Sequence, residues 1–205
     1  MIAVLDYDAG NVASVSKALR FLGEECTVTR DESVIRNSAG LILPGVGAFG
    51  DACDKLRSYG LFELIPEYIK TGKPFLGICL GLQLIFNTSE ESPKAEGLDL
   101  LPGKIVKIPA DNGLKVPQIG WNSIDINPSS RLLKGISNGS YVYFVHSYYL
   151  KASDPSIVSA ITEYGVHIHA AVEKDNIFAC QFHPEKSGST GLVILRNFID
   201  IAKEA

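Results

Sequence analysis

Residues 75–86 read Phe-Leu-Gly-Ile-Cys-Leu-Gly-Leu-Gln-Leu-Ile-Phe, and this stretch decides the fold. Phe75–Cys79 is a short apolar run that predicts a buried strand, and Leu80–Phe86 has the length and composition of a helix. The cysteine stands between two glycines as G-x-C-x-G, the form of the nucleophile elbow, in which a strand turns sharply into a helix. The stretch therefore predicts a strand, a tight turn at Cys79 and a helix.

Cys79 at such a turn has the surroundings of a catalytic nucleophile. The turn would place its sulfur at a helix N-terminus, where the partial positive charge stabilises a thiolate. The backbone N–H of Leu80 could then face an oxyanion that forms on the substrate. The alternative is a buried structural cysteine between two unrelated glycines, which is what we expect of the other three cysteines. These are Cys26, Cys53 and Cys180.

The remainder of the chain predicts an α/β fold. In the first half, apolar runs alternate with helical periodicity, which implies a parallel sheet with helices on both faces. Further short strands separated by Asn, Gly, Ser and Pro turns follow residue 103, and a helix near Thr190–Lys203 closes the chain. We expect one domain over residues 1–205, with a mixed, mostly parallel sheet and an added antiparallel portion. The other predicted strands are Ile2–Asp6, Cys26–Thr29, Gly40–Leu43, Lys104–Ile108, Asn122–Ile126, Tyr141–Val145, Val158–Thr162, His167–Val172 and Phe178–Phe182, and the other predicted helices are Val12–Leu22, Phe49–Ser58 and Leu61–Lys70.

The composition of the 205 residues excludes several classes of protein. The chain has 19 Lys and Arg against 23 Asp and Glu, a net charge of −4, and no basic cluster that could neutralise a run of phosphates. No basic segment precedes the first apolar run, and the longest uncharged stretch, 74–89, is too short and too polar to span a bilayer. We expect a soluble, cytoplasmic protein that binds neither nucleic acid nor membranes.

A second segment, Gln181–Ser187, supplies a candidate base for the thiol. In an extended chain, residues i and i+2 point to one side, so His183 and Glu185 could face the same site. A nucleophilic thiol needs a base, and the base needs a carboxylate that fixes its tautomer. A histidine that merely occupies a turn before Pro184 is the alternative.

A third segment, Pro44–Gly50, contains the glycine spacing G-x-G-x-x-G of dinucleotide-binding loops. It follows a later strand rather than the first, and the next strand ends at Cys79 instead of an acidic residue for the ribose. A glycine loop beside Cys79 could instead supply an oxyanion donor from Gly47. We favour the oxyanion role, and a dinucleotide-binding module remains an alternative.

The other histidines are predicted to be structural or exposed. His167 and His169 would share one face of a strand, but no acidic or cysteine partner lies at metal-ligand spacing, so a surface pair is favoured. His146, among several aromatic residues, is expected to be structural.

Together the three segments resemble the class I, triad-type glutamine amidotransferases. The resemblance extends over essentially the whole chain, and four segments are similar to the branch formed by the glutaminase subunits of imidazole glycerol phosphate synthase. The family resemblance implies a flavodoxin-like fold and no metal or organic cofactor. The branch segments are Pro44–Phe49, Ile119–Asn122, Tyr143–Ser147 and His183–Ser187.

The resemblance also implies roles for individual residues. Cys79 would be the nucleophile, His183 the base and Glu185 the residue that orients the base. The residues implied in the remaining roles are Val46, Gly47 and Leu80 at the oxyanion, Gln83, Ser147 and Tyr148 at the substrate, and Asn11, Trp121, Tyr143 and Lys186 at the partner interface.

The activity implied is hydrolysis of L-glutamine to glutamate and ammonia. Ammonia would pass to the partner in a heterodimer, a (β/α)₈ synthase (cyclase) subunit that makes imidazole glycerol phosphate and an aminoimidazole carboxamide ribotide in histidine biosynthesis. The alternatives are a glutaminase that serves another synthase, such as those for anthranilate or pyridoxal phosphate, and a cysteine hydrolase that acts alone.

Overall fold

A computed structural model describes residues 1–110 and 113–205, and strands and helices alternate through its first half. Among these residues, Pro155–Ile157 and Pro184–Lys186 each form a single turn of 3-10 helix. The strands are β1 Ile2–Leu5, β2 Cys26–Thr29, β3 Gly40–Gly45, β4 Phe75–Cys79, β5 Thr88–Ser89, β6 Gly103–Lys107, β7 Gln118–Ser123, β8 Asp125–Ile126, β9 Tyr141–His146, β10 Tyr148–Ala152, β11 Val158–Glu163, β12 His167–Lys174 and β13 Ile177–Cys180. The helices are α1 Val12–Phe21, α2 Glu32–Asn37, α3 Phe49–Ser58, α4 Leu61–Lys70, α5 Leu80–Leu84 and α6 Gly188–Glu204.

The main sheet has a parallel half and an antiparallel half. Strands β2, β1, β3, β4 and β13 lie side by side and are parallel. From β13 the sheet continues through β12, β10 and β6 with antiparallel pairing, while β11 pairs with β12 and with β8. Strands β7 and β9 form a separate antiparallel pair. The predicted fold class, a mostly parallel mixed sheet with an added antiparallel portion, is confirmed.

Helices cover both faces of the parallel half. Along β1, Ala3 and Leu5 pack on the side of α3 and α4, whereas Ile2 and Val4 pack on the side of α1 and α6. Successive strand residues point to opposite faces, so a strand covered on both sides must be apolar throughout. This explains why β1, β3, β4 and β13 are uninterrupted buried runs.

Several element boundaries differ from the sequence-based prediction. The predicted strand Asn122–Ile126 is two strands, because Gln118–Ser123 pairs with β9 and Asp125–Ile126 pairs with β11. The short α2, capped by the Asp31 side chain, was not predicted, and neither were β5 and β10. The helix predicted over Leu80–Phe86 ends at Leu84. In contrast, β2, β4, α3 and α4 have the predicted bounds.

None of the helices in residues 1–110 and 113–205 is both long enough and apolar enough to cross a bilayer.

The strand register brings the three sequence segments together. Gly45, at the end of β3, is paired with Cys79 at the end of β4, and Cys180 of β13 is paired with Ile78. The carboxyl ends of parallel strands meet at one edge of a sheet, which is where α/β proteins place their sites. The glycine loop, the elbow and the segment that starts at Gln181 therefore leave the sheet side by side.

Candidate active site

Cys79 occupies a strained turn between β4 and α5. Its φ is 55° and its ψ is −105°, in a region that non-glycine residues rarely adopt. A Cβ atom built on Gly81 would lie 1.9 Å from the carbonyl oxygen of Leu43, and one built on Gly77 would lie 2.6 Å from the carbonyl oxygen of Gly81. Both distances are far shorter than any real contact. Gly81 is therefore required by the close approach of α5 to β3, and Gly77 by the close approach of α5 to its own strand β4, so the two are not a chance pair.

His183 and Glu185 form a buried pair behind the elbow. The Nδ1 atom of His183 lies 2.8 Å from Oε1 of Glu185, and both side chains are almost fully excluded from solvent. The main chain around the histidine is fixed, because its N–H donates to the carbonyl of Tyr143 and the Ser187 hydroxyl donates to its carbonyl. The prediction that both side chains face one site is correct, but its reason was wrong. Strand β13 ends at Cys180, and the 3-10 turn Pro184–Lys186 folds the glutamate back onto the ring.

The electrostatic surroundings of His183 favour its cationic form. Burial by itself lowers the pKa of the ring, but the neighbouring Cys79 sulfur and the Glu185 carboxylate outweigh it and raise the pKa to about 9. The Nε2 atom is buried and has no hydrogen-bond partner. A cationic ring with a free Nε2–H next to Cys79 stabilises negative charge on the sulfur and is placed to give up a proton.

A cleft of about 300 Å³ opens in front of Cys79. All six residues expected at the oxyanion and the substrate line its wall. These are Val46, Gly47, Leu80, Gln83, Ser147 and Tyr148. Gly47 has a φ of 107° with open space at its Cβ position, so the backbone of this loop adopts a conformation that other residues resist.

Glu91 is a cleft residue that the sequence analysis missed. Its Oε2 accepts a hydrogen bond of 2.7 Å from the N–H of Phe49, at the start of α3. Among the described residues that line the cleft, it carries the one acidic side chain. It lies in an irregular segment beside Glu90, with no motif around it, and only the folded chain brings it to the cleft.

A family model described as "Glutamine amidotransferase class-I" matches residues 3–202. The chain belongs to the class I glutamine amidotransferases. The resemblance inferred from the three sequence segments is thus confirmed, and the chain is an enzyme of this family.

Similarity to individual members of the family extends over the whole chain. The chain is 52% identical, over 203 residues and 99% of each chain, to "Imidazole glycerol phosphate synthase subunit HisH" of Caldanaerobacter subterraneus subsp. tengcongensis. It is 51% identical to the subunit of the same name from Methanothermobacter thermautotrophicus, with 99% of this chain and 100% of that one covered.

Solved structures share the fold of this amidotransferase. A crystal structure described as a glutamine amidotransferase superposes with a TM-score of 0.77 at 19% identity, over 98% of both chains. The structure of PurLQS from Thermotoga maritima superposes with a TM-score of 0.76 at 20% identity, over 97% of both chains. At these identities the likeness concerns the fold alone.

The other three histidines of this amidotransferase make polar contacts within the chain. His146 forms part of the cleft wall, where its Nδ1 donates to the carbonyl of Tyr148 at 2.9 Å. Burial lowers its pKa to about 4, so the ring is neutral. His167 pairs with Glu163 at 3.0 Å, and Nδ1 of His169 accepts from a backbone N–H. Among the described residues, no group of three or more His, Cys, Asp or Glu side chains could hold a metal ion.

Three of the residues expected at the partner interface lie together on the surface. The ring of Trp121, which is 55% exposed, meets the ring of Tyr143 edge to face with 6.1 Å between centroids. Nζ of Lys186 lies 5.8 Å from the centroid of the same tyrosine. The fourth, Asn11, caps α1, because its side chain accepts from the N–H of Ser14.

The elbow packing predicts that Gly81→Ala destabilises the enzyme severely. The new methyl group would collide with the backbone of β3, which cannot move without breaking the sheet, so we expect a loss of upward of about 3 kcal/mol in the free energy of unfolding. Urea unfolding checks this. Gly50→Ala is the matched control with a smaller expected loss, because its new methyl group would meet the Ser92 side chain, whose rotation costs one hydrogen bond from the N–H of Gly50 rather than a clash with the sheet backbone. Equal stability of the two variants would contradict the packing argument.

The pKa values of the two buried histidines are expected to be shifted in opposite directions. His183 should keep its proton up to about pH 9, whereas His146 should stay neutral down to about pH 4. Because the raised pKa exceeds the ordinary value of 6.5, the stability from His183 is full below about pH 6.5 and is lost as pH rises through about 9. Side-chain ¹⁵N NMR, assigned with His→Gln variants, checks this. A titration midpoint for His183 near the ordinary value of 6.5 would show that its charged neighbours do not control its pKa.

Proposed function

We propose that the chain is the glutaminase subunit of an imidazole glycerol phosphate synthase and that it works through Cys79, His183 and Glu185. The observation that carries the proposal is the coincidence of two findings. The cleft in front of a strained cysteine is backed by a buried histidine–carboxylate pair, and the chain matches glutaminase subunits over its whole length at about half identity.

In the first chemical stage, Cys79 Sγ forms a bond to the amide carbon of the glutamine side chain. The electron pair of the carbonyl moves to its oxygen, which the backbone N–H groups of Leu80 and the Val46–Gly47 loop stabilise. His183 then gives the proton on Nε2 to the amide nitrogen, the C–N bond breaks, and ammonia leaves. A γ-glutamyl thioester on Cys79 remains.

In the second stage, water attacks the thioester. His183, now neutral, accepts a proton from this water through Nε2 as the new C–O bond forms. The C–S bond breaks, glutamate leaves, and the thiolate–imidazolium pair is restored. Throughout, Glu185 holds Nδ1–H and stabilises the cationic ring, so its role is to orient the base rather than to accept the proton.

The cleft wall also suggests how the substrate is held. The carboxylate of Glu91 offers a counter-charge for the α-ammonium group of glutamine. Gln83 and the segment Ser147–Tyr148 supply amide and main-chain groups that suit the polar atoms of an amino acid. An acidic group facing an ammonium group favours a free amino acid over an internal residue of a peptide chain.

An exposed apolar patch next to the site fits the proposed partner. Ile119, Trp121 and Tyr141 are large, exposed side chains on β7 and β9, and β9 continues into the cleft wall at His146. Such patches mark protein interfaces, which aromatic residues dominate. We propose that this patch binds the (β/α)₈ synthase (cyclase) subunit in a heterodimer, so that ammonia passes from Cys79 into the barrel instead of into solvent.

Cys79→Ala should lower the rate of glutamine-dependent synthesis by the complex at least about 10⁴-fold, because removal of the nucleophile of a triad has an effect of this size. Synthesis from added ammonium should persist, because ammonia is what moves from one site to the other. Assays of the complex with each nitrogen source check this, and Cys53→Ala, which changes a buried cysteine outside the cleft, is the control. Loss of ammonium-dependent synthesis in an assembled complex would contradict the two-site account. Robust glutamine turnover without a barrel subunit would favour a hydrolase that acts alone.

Trp121→Ala should weaken binding of the barrel subunit roughly 30-fold or more, since a central exposed tryptophan of an interface commonly contributes that much. Titration calorimetry with the barrel subunit measures the change. Phe21→Ala is the matched control, because Phe21 is 78% exposed but lies on α1, outside the patch. Equal affinities of the Trp121 variant and the wild type would place the interface elsewhere.

A further inference from the structure

Gln181 places a fully buried side-chain amide against the nucleophile, and the mechanism above does not use it. Its Nε2 lies 3.6 Å from Sγ of Cys79, within hydrogen-bond distance for sulfur. Its Oε1 accepts a 3.2 Å hydrogen bond from Nε2 of Gln83, and the same Nε2 donates to the carbonyl of Tyr148 at 3.1 Å. The main chain is fixed as well, because the N–H of Gln181 donates to the carbonyl of Ala170 at 2.8 Å.

The direction of the hydrogen bonds in this chain follows from its far end. The backbone carbonyl of Tyr148 can only accept, so Gln83 must turn its NH₂ group toward it. That NH₂ group also faces Gln181, which must therefore present its oxygen there. With the oxygen committed, the NH₂ group of Gln181 points at the sulfur of Cys79. The orientation of both amides is fixed by one carbonyl.

An amide donor aimed at sulfur discriminates between the two forms of the cysteine. A thiolate is a charged acceptor, and hydrogen bonds to charged groups are about twice as strong as neutral ones, whereas a thiol sulfur accepts only weakly. The contact that a thiol proton could make is longer, since Sγ lies 3.9 Å from the carbonyl of Val145. The amide of Gln181 is therefore placed to stabilise the sulfur when it carries negative charge.

We propose that Gln181 is a positioning residue that holds the Cys79 thiolate in place and ties it to the substrate wall at Gln83 and Tyr148. It does not line the cleft, so it acts through the residues that it contacts. A substrate that displaces Gln83 or the Tyr148 carbonyl would pull on the same chain of bonds that holds the sulfur. This inference rests on the proposed function, because it assigns a role around the same nucleophile.

Two substitutions of Gln181 test its hydrogen bonds while they keep the volume of its side chain nearly constant. Gln181→Glu keeps the shape and an oxygen toward Gln83 but replaces the donor toward sulfur with a carboxylate oxygen, which repels a thiolate. Gln181→Met keeps the length and removes both hydrogen bonds. For each, we would measure the rate at which iodoacetamide alkylates Cys79 at pH 7, by peptide mass spectrometry, together with kcat and KM for glutamine in the complex. Circular dichroism would establish folding.

We expect both variants to be alkylated roughly 10- to 100-fold more slowly, the range that corresponds to loss of one hydrogen bond to a charged group. We expect kcat to fall with the alkylation rate in both. KM should rise mainly in Gln181→Met, because only there does Gln83 lose its acceptor. Alkylation of either folded variant at the wild-type rate would overturn the proposal, and if one variant does not fold, the other decides.

Asn176→Leu is the control for a general loss of stability. Asn176 is also a side-chain amide with two hydrogen bonds, to the carbonyls of Ile69 and Lys73, but it lies at the opposite end of the parallel strands. Its substitution should lower stability and leave alkylation of Cys79 unchanged. Alkylation needs no glutamine, so it tests Gln181 even if glutamine were not the substrate. The proposed function would fail separately if the wild-type complex did not hydrolyse glutamine.

Discussion

The close approach of α5 to β3 is the constraint on which the rest of the site depends. The carbonyl of Leu43 occupies the space where a side chain at position 81 would lie, and this contact sets the angle at which the chain leaves β4. The same turn holds Cys79 at a positive φ and aims its sulfur out of the sheet. A backbone packed this tightly cannot relax around Cys79. The site is therefore preorganised by main-chain contacts, which cost nothing further when substrate binds.

Charge, rather than burial, separates the two histidines near the cleft. His183 and His146 are similarly buried, and burial alone would keep both neutral. His183 has the Cys79 sulfur on one side and the Glu185 carboxylate on the other, and these neighbours raise its pKa. His146 contacts the Tyr148 carbonyl and the Gln118 amide, neither of which carries a charge, and burial lowers its pKa. The ring of His183 is thus held in its cationic form, while the neutral ring of His146 forms part of the cleft wall.

Much of the fold and of the site could be predicted because it depends on local pattern. Apolar runs with glycine breaks defined β4, α3 and α4, and the glycines beside Cys79 marked a close backbone approach. The sequence could not predict Glu91 or Gln181 as site residues, since each reaches the site only through strand order and register. The pairing of His183 with Glu185 was expected from an extended chain, yet a 3-10 turn produces it. The strand predicted to begin at Asn122 begins at Gln118 as β7, because its bounds are set by the long-range pairing with β9.

Attack of Cys79 on glutamine, with transfer of the γ-glutamyl group to its sulfur, is the step on which the proposed mechanism depends. Rapid acid quenching of the complex during turnover, followed by intact-mass and peptide mass spectrometry, tests this most directly. We expect a γ-glutamyl adduct on the peptide that contains Cys79, absent without glutamine and lost when the reaction runs to completion. Turnover of glutamine with no adduct at any time, or with the adduct on Cys26, Cys53 or Cys180 instead, would contradict it.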